Sequence, residues 1–165
     1  MTKALSAQDV ARTIGERFPD AVVEGDEAAV FVDGGRLLDV ARFLKDSPDL
    51  RMDYLSNLTA VDYKDHFEVV YSVNSIEHNH GIVVKVRCHD REAPSVPSVV
   101  SVWQGADFQE REVYDLMGIS FAGHPNPRRI MLWPGFDGHP LRKDWGQAQA
   151  APAEGGAEKD APECQ

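Results

Sequence analysis

Cysteine is scarce in this sequence. Only Cys88 and Cys164 occur in 165 residues, too few and too far apart for a disulfide framework, a thiolate zinc site or an iron-sulfur cluster. Long apolar runs are missing as well. Nothing approaches the roughly 20 residues that a membrane-spanning helix needs, and no apolar signal segment follows Met1-Thr2-Lys3-Ala4, so the chain is expected to stay in the cytoplasm. No glycine-rich nucleotide turn follows a strand. Bases are outnumbered, with 17 Lys and Arg against 27 Asp and Glu for a formal charge of −10. That balance argues against nucleic acid, because phosphate binding draws on a net basic surface. His78-Asn79-His80 has no helical Glu or third ligand nearby and reads as a turn rather than a metal site.

What is present suits one globular domain: 42% of residues are hydrophobic and 27% charged, and a chain of this size can bury an independent core. Ser6, with Asp9 three residues on, caps a helix whose Val10, Ile14 and Phe18 share a face until Pro19 ends it. Ala21 to Glu24 and Ala28 to Val32 are short β-type runs divided by Gly25-Asp26, a small hairpin. Leu37, Leu38, Ala41 and Leu44 mark a second amphipathic helix that stops before Ser47-Pro48. An extended segment near Asp53 to Tyr63 leads to the clearest strands. Phe67, Val69, Tyr71 and Val73 alternate with outward positions, and Ile82, Val84, Val86 and Cys88 repeat the period of two. Cys88 is thus a core or sheet residue. The turn between these strands falls at Glu77 to His80. Val96 to Trp103 is expected to form one or two helical turns. Asp107-Phe108-Gln109-Glu110 reads as an Asp-capped helix start, running to Met117 and closed by Gly118. The order αββα, then three strands, then short helices predicts an α+β fold: a two-layer domain with a mostly antiparallel sheet, followed by an extended irregular C-terminal segment.

That segment, Ile119 to Trp145, is rich in proline and glycine and cannot be regular helix or sheet. Between Gly123 and Trp145 it carries Arg128, Arg129, Arg142 and Lys143 against Asp137 and Asp144, a locally basic ribbon in an acidic protein. A long irregular stretch with arginines and large aromatics favours binding. The chain therefore divides into an α+β domain over 1–118, a partner-docking segment over 119–145 and a disordered acidic tail over 146–165. The candidate partner interface comprises Phe108, His124, Arg128, Arg129, Phe136, His139, Arg142, Lys143 and Trp145.

Glu110-Arg111-Glu112-Val113-Tyr114-Asp115 could suggest acid/base chemistry, yet nothing nearby looks like a nucleophile with its base. Asp107 with Arg111 and Arg111 with Asp115 are i,i+4 pairs, which ordinarily decorate an exposed face. Glu110 is different, since its helical position lies between Trp103, Tyr114 and Met117. Either it reaches back to the Asp107 amide, or it is partly buried and takes an arginine from downstream. Phe108 points to the charged side of the helix, which makes it a candidate anchor for a partner or for the returning chain. His124 and His139 each precede a proline that fixes the backbone, so a structural role outweighs proton transfer.

These residues carry a family resemblance. Glu110-Arg111-Glu112, Asp115-Leu116-Met117, His124, Arg128 and Ile130-Met131 resemble the signature of the thirty-kilodalton subunit family of respiratory complex I. Gly138-His139-Pro140-Leu141-Arg142-Lys143-Asp144 resembles the family's second block. Leu58-Thr59-Ala60-Val61-Asp62-Tyr63 and Phe67-Glu68-Val69-Val70-Tyr71 extend the similarity, which spans roughly Leu55 to Trp145 and departs at Asn126-Pro127 and Trp133-Pro134. The resemblance implies a non-catalytic docking subunit, with no catalytic, cofactor or metal site of its own, in the peripheral arm of a proton-translocating NADH-quinone oxidoreductase. It would lie on the cytoplasmic side of the cell inner membrane, packed against the large hydrogenase-like subunit near the cluster-bearing subunits. The complex would carry FMN and iron-sulfur clusters and pass electrons from NADH to quinone. Two alternatives stand beside it. One is the equivalent subunit of a related membrane-bound hydrogenase or methanophenazine-linked dehydrogenase. The other is a small acid/base hydrolase using Glu110, Glu112 or Asp115 with His124.

Overall fold

The computed structural model describes residues 2–25 and 27–146. Two helices lie against one face of a mixed sheet, and a third helix with the C-terminal ribbon closes the far end. Strand β1 is Lys3–Ala4, helix α1 Ala7–Arg17, β2 Val22–Gly25, β3 Ala29–Val32, α2 Leu37–Asp46, β4 Tyr54–Asp62, β5 Phe67–Ser75, β6 His80–Cys88, β7 Ser95–Pro97, α3 Ala106–Met117 and β8 Ser120–Ala122. The α+β fold and its mostly antiparallel main sheet are as the sequence implied. The strand order is β2-β3-β6-β5-β4.

Local chemistry sets most of these boundaries. The Ser6 hydroxyl accepts from the Asp9 N–H, and Ala7, Val10 and Ile14 are buried on the inner face of α1. On α2 the buried set is Leu37, Val40, Ala41 and Leu44. The long β5/β6 hairpin runs from Phe67 opposite Cys88 to Ser75 opposite His80. Phe67, Val69, Tyr71 and Val73 face inward beside Ile82, Val84, Val86 and Cys88, as their alternation requires. Apolar burial is favourable by about 25 cal/mol per Å², so the inward row is a major contribution to the fold. Burial pushes the Cys88 thiol up to about 11, so it is an inert packing group.

Two pairings escape period-two reasoning. Strand β3 lies parallel to β6, with Ala29 opposite Val83, and β1 pairs parallel with the start of the same β6 edge, Lys3 opposite His80. The connection through α2 and β4–β5 provides the crossover that a parallel pair needs.

A register shift in β4 between Leu55 and Asn57 sets the direction of every side chain beyond it. One extra residue lets Leu55 and then Leu58 both face the core, and carries Asp62 to the buried side at the strand's end. Without it, a carboxylate would face solvent there.

The segment before α3 differs from expectation. Val96 is in β7, which pairs parallel with β8, so only the turn closed on the Val99 carbonyl by the Val102 and Trp103 N–H groups is helix-like. The two short strands flank α3 in the chain, and β8 places regular structure at the start of a segment expected to have none.

Candidate functional site

Helix α3 organises the site. Its N-cap is Gly105, with no side-chain cap bond, so Asp107 sits inside the first turn rather than capping it. There it favours the helix dipole. At the other end Gly118 adopts φ +73 and bonds back to the Tyr114 carbonyl, a left-handed close that a Cβ would obstruct. A Cβ at this position would also stand 2.6 Å from the His139 ring.

Of the two i,i+4 pairs expected on this helix, Asp107 with Arg111 is present, but the face is not exposed, because Arg111 and Asp115 are both buried. Arg111 Nε donates to the Arg128 carbonyl at 3.1 Å, its Nη1 lies 3.8 Å from Asp107, and its guanidinium stands over the Phe108 ring. Asp115 turns instead to the ribbon. Its Oδ2 accepts from the backbone N–H groups of Ile130 at 3.0 Å, Met131 at 2.7 Å and Leu132 at 2.9 Å. Burial opposes its ionisation, but these three donors and the Arg129 guanidinium at 3.5 Å outweigh it and hold the carboxyl below its usual range.

Asp62 does the same for the second half of the ribbon. It pairs with Arg91 at 2.6 Å and accepts the Lys143 N–H at 2.7 Å. Burial is again the largest influence and again loses, so its carboxyl is lowered. Arg142 Nη2 donates to the Arg91 carbonyl and pairs with Asp144, while Arg91 and Arg142 both lie over the Phe67 ring, at 4.6 and 5.0 Å. His139 Nδ1 donates to the Asp115 carbonyl, and the Leu141 N–H reaches the Leu116 carbonyl. The ribbon is thus irregular in dihedral angles yet tied along its length to the domain.

Glu110 follows neither route proposed for it. It is 0% exposed, and its Oε1 accepts the Val99 N–H at 2.7 Å, joining α3 to the turn before it. No ribbon arginine reaches it. Burial dominates and raises its pKa, against the Ser98 hydroxyl, the Val99 N–H and His124, which favour the charge. Its Oε2 is buried with no hydrogen-bond partner, as is the Tyr71 hydroxyl, whose pKa is pushed up by burial and then by the Glu110 charge. His124 Nε2 lies 3.9 Å from that oxygen. The histidine's Nδ1 accepts the Asn126 N–H at 2.9 Å, and its Nε2 donates to the Asp107 carbonyl at 3.2 Å. With Nδ1 accepting and Nε2 donating, His124 locks a turn.

Among the residues expected to face a partner, the structure separates two groups. His124 is buried, and Arg129, His139 and Arg142 are engaged within the chain, Arg129 donating to the Gly138 carbonyl. Phe136 packs edge-on against Trp133 and stacks with Trp145. Arg128 and Lys143 are exposed, and Phe108 is 67% exposed. Sequence reasoning missed Met131, Trp133 and Leu141, which together with Phe108 and Trp145 form the exposed large apolar side chains of this end. It also missed Asp62 as an anchor. The available signal was an acid closing an otherwise apolar strand, which is costly unless a partner is near.

Among the described residues no group of three or more His, Cys, Asp or Glu is placed to hold a metal ion; the His78 and His80 rings instead meet the carbonyls of Pro48 and Leu50. No described helix is long and apolar enough to cross a membrane.

Residues 30–150 match the family described as respiratory-chain NADH dehydrogenase, 30 Kd subunit. The chain belongs to that family. An NADH-quinone oxidoreductase subunit from Roseiflexus castenholzii is 43% identical over 148 residues, 86% of this chain and 84% of the relative. Its counterpart from Chlorobium phaeobacteroides is 40% identical over 151 residues, 87% of this chain and 89% of the relative. The mitochondrial NADH-ubiquinone oxidoreductase 30.4 kDa subunit of Neurospora crassa is 45% identical over 123 residues, 73% of this chain and 43% of the relative. A chain from the structure of the membrane-bound sulfane sulfur reductase, an archaeal respiratory membrane complex, superimposes with a TM-score of 0.63 at 24% identity, covering 95% of this chain and 98% of that one. That likeness is one of fold. As a member of the 30 Kd family the chain is a subunit of a respiratory-chain NADH dehydrogenase.

Proposed function

We propose that this chain is a docking subunit of the peripheral arm of a proton-translocating NADH-quinone oxidoreductase, without a catalytic site of its own. It packs against the large hydrogenase-like subunit on the cytoplasmic side, near the cluster-bearing subunits. It holds the geometry around a path on which FMN and iron-sulfur clusters in other subunits carry electrons from NADH to quinone. The observation that carries this reading is a set of exposed large apolar side chains, Phe108 on α3 and Met131, Trp133, Leu141 and Trp145 on the ribbon, which the buried carboxylates Asp62 and Asp115 fix to the domain. A lone monomer gains nothing from such side chains in water, whereas buried aromatic anchors dominate interface energetics. Prior fixing of the ribbon lowers the ordering cost of assembly.

The test is replacement of Phe108 and Trp133 by alanine in the native complex. The free variant should keep its circular dichroism, while recovery of the hydrogenase-like subunit with it from mild-detergent membrane extracts should fall. Normal recovery removes these two side chains from the interface. The purified chain should show no flavin absorbance, no cluster signal and no NADH oxidation; stoichiometric flavin or iron, or turnover by the chain alone, overturns the non-catalytic reading.

A further inference from the structure

Between α3, β8 and the start of the ribbon lies a cavity of about 260 Å³ lined by Glu110, Arg111, Tyr114, Phe121, Ala122 and Pro127, among others. Its walls are largely apolar. Glu110, on its wall, spends one carboxylate oxygen on the Val99 N–H and leaves the other, Oε2, buried with no hydrogen-bond partner. An unsatisfied buried carboxylate oxygen is costly, more so than a neutral acceptor, so a native chain that retains one has a donor waiting elsewhere or a reason to store the cost.

Among the described residues no donor meets that oxygen. Arg111 is committed to the Arg128 carbonyl and Asp107, Arg129 to Asp115 and the Gly138 carbonyl, Arg142 to Asp144 and the Arg91 carbonyl. The Ser98 hydroxyl, which accepts the Val100 N–H, favours the Glu110 charge but leaves Oε2 unbonded. His124 directs Nε2–H to the Asp107 carbonyl and stands 3.9 Å from Oε2. Size narrows the occupant further. Cofactor and drug-sized pockets run from about 300 to 1,000 Å³, so this cavity is small for a nicotinamide, a flavin or a quinone ring with its tail, and suits the end of one side chain. A partner carboxylate is disfavoured beside Glu110, because like charges in a buried site repel. A basic side chain brings what is missing, several N–H donors and the opposite charge.

We propose that this cavity receives one basic side chain, arginine or lysine, from a neighbouring subunit, whose N–H groups bond Glu110 Oε2. The site rests on the docking reading above and adds a polar latch to its apolar anchors. Desolvated charge pairs of this kind set register and slow dissociation.

Two variants in the assembled complex test it. Glu110→Gln keeps the size and the acceptor for the Val99 N–H, but places an NH2 donor where the unbonded acceptor stood. Ala122→Phe leaves Glu110 untouched and fills the cavity from β8. Each should stay folded by circular dichroism, and each should weaken retention of the chain in the complex by about 10-fold or more, the scale expected when one member of a buried charge pair is lost. The double variant should be little worse than either alone, since both remove one interaction. Retention of either folded variant at the wild-type level overturns the assignment and leaves solvent as the occupant; if Ala122→Phe does not fold, Glu110→Gln alone decides. A wild-type chain that itself fails to enter the complex would instead defeat the docking reading, so the two failures are distinguishable.

Discussion

Asp115 and Glu110 stand little more than one turn apart on the same helix, both 0% exposed, and their surroundings are opposite. Asp115 is met by three backbone N–H groups and a guanidinium, so its charge is stabilised and its carboxyl lowered. Glu110 receives a single backbone N–H and has its carboxyl raised. Burial opposes ionisation of both, more heavily at Glu110, and the larger supply of donors at Asp115 reverses the sign there. Asp115 Oδ1, like Glu110 Oε2, has no hydrogen-bond partner, so the difference lies in Oδ2, which gathers three backbone donors where Glu110 Oε1 has one.

Breaking the satisfied side should have the largest effect. Asp115→Ala strands the N–H groups of Ile130, Met131 and Leu132 and frees Arg129, and a cost of roughly 3–5 kcal/mol is expected, the scale of breaking a buried charged network. Urea unfolding should show a lower midpoint, and the Trp133 and Trp145 environments should change with it. Asp115→Asn keeps one acceptor and should lose roughly half as much. Equal stability of wild type and alanine variant would mean the ribbon is not held from Asp115.

The next effect is steric. Gly118→Ala combines a left-handed φ of +73 with a Cβ 2.6 Å from the His139 ring, so roughly 2–3 kcal/mol should be lost, from the backbone penalty and the displaced ring together. Pairing it with His139→Ala should recover the steric part. Failure of that rescue would place the strain in the backbone alone. Arg142→Ala is smaller, about 1–2 kcal/mol, since it removes the bond to the Arg91 carbonyl and the stack on Phe67 but leaves Arg91 with Asp62. Thermal melts of the two variants rank them.

The elements that sequence made legible are those whose partners lie in their own periodicity. The inward rows of β5 and β6, the buried stripes of α1 and α2, and the Gly118 stop all follow from spacing that a single element contains. Parallel placement of β3 and β1 on β6 does not, because the partner of a two- to four-residue strand is chosen by what the rest of the fold leaves open. The error at Arg111 and Asp115 has the same root. Their i,i+4 spacing suggests mutual pairing on a wet face, but the donors that claim Asp115 come from backbone amides of an irregular ribbon, and no periodicity announces those. Phe108 and the glycine-histidine-proline turns were visible; the exposed Met131, Trp133 and Leu141 were not, since exposure in an irregular segment depends on how its ends are tethered. Of the acidic tail expected over 146–165, residues 147–165 lie outside the described residues.

The smallest effect, and the one that most sharpens the comparison, is the pH dependence of Glu110→Gln. Glu110 has a raised carboxyl in the folded chain, so between the unfolded value near 4.5 and the raised folded value the native state binds the extra proton. Its ionisation therefore penalises stability above that window, and the penalty fades as pH falls through it. Asp62 and Asp115, whose carboxyls are lowered, behave in the opposite sense: their contribution is complete above the unfolded value near 3.8 and is lost as pH drops through the folded one. Gln cannot ionise, so the variant should be as stable as the wild type or slightly more so at about pH 7, and that difference should shrink on acidification toward about pH 4.5. Asp115→Asn compared with wild type should show no narrowing over the same range and should narrow only at lower pH. Melting temperatures of the three proteins from about pH 7.5 to about pH 3 resolve both trends. A Gln variant whose difference from wild type is flat with pH would show that Glu110 has an ordinary carboxyl, and the donors that it lacks beside Asp115 would then be supplied by solvent.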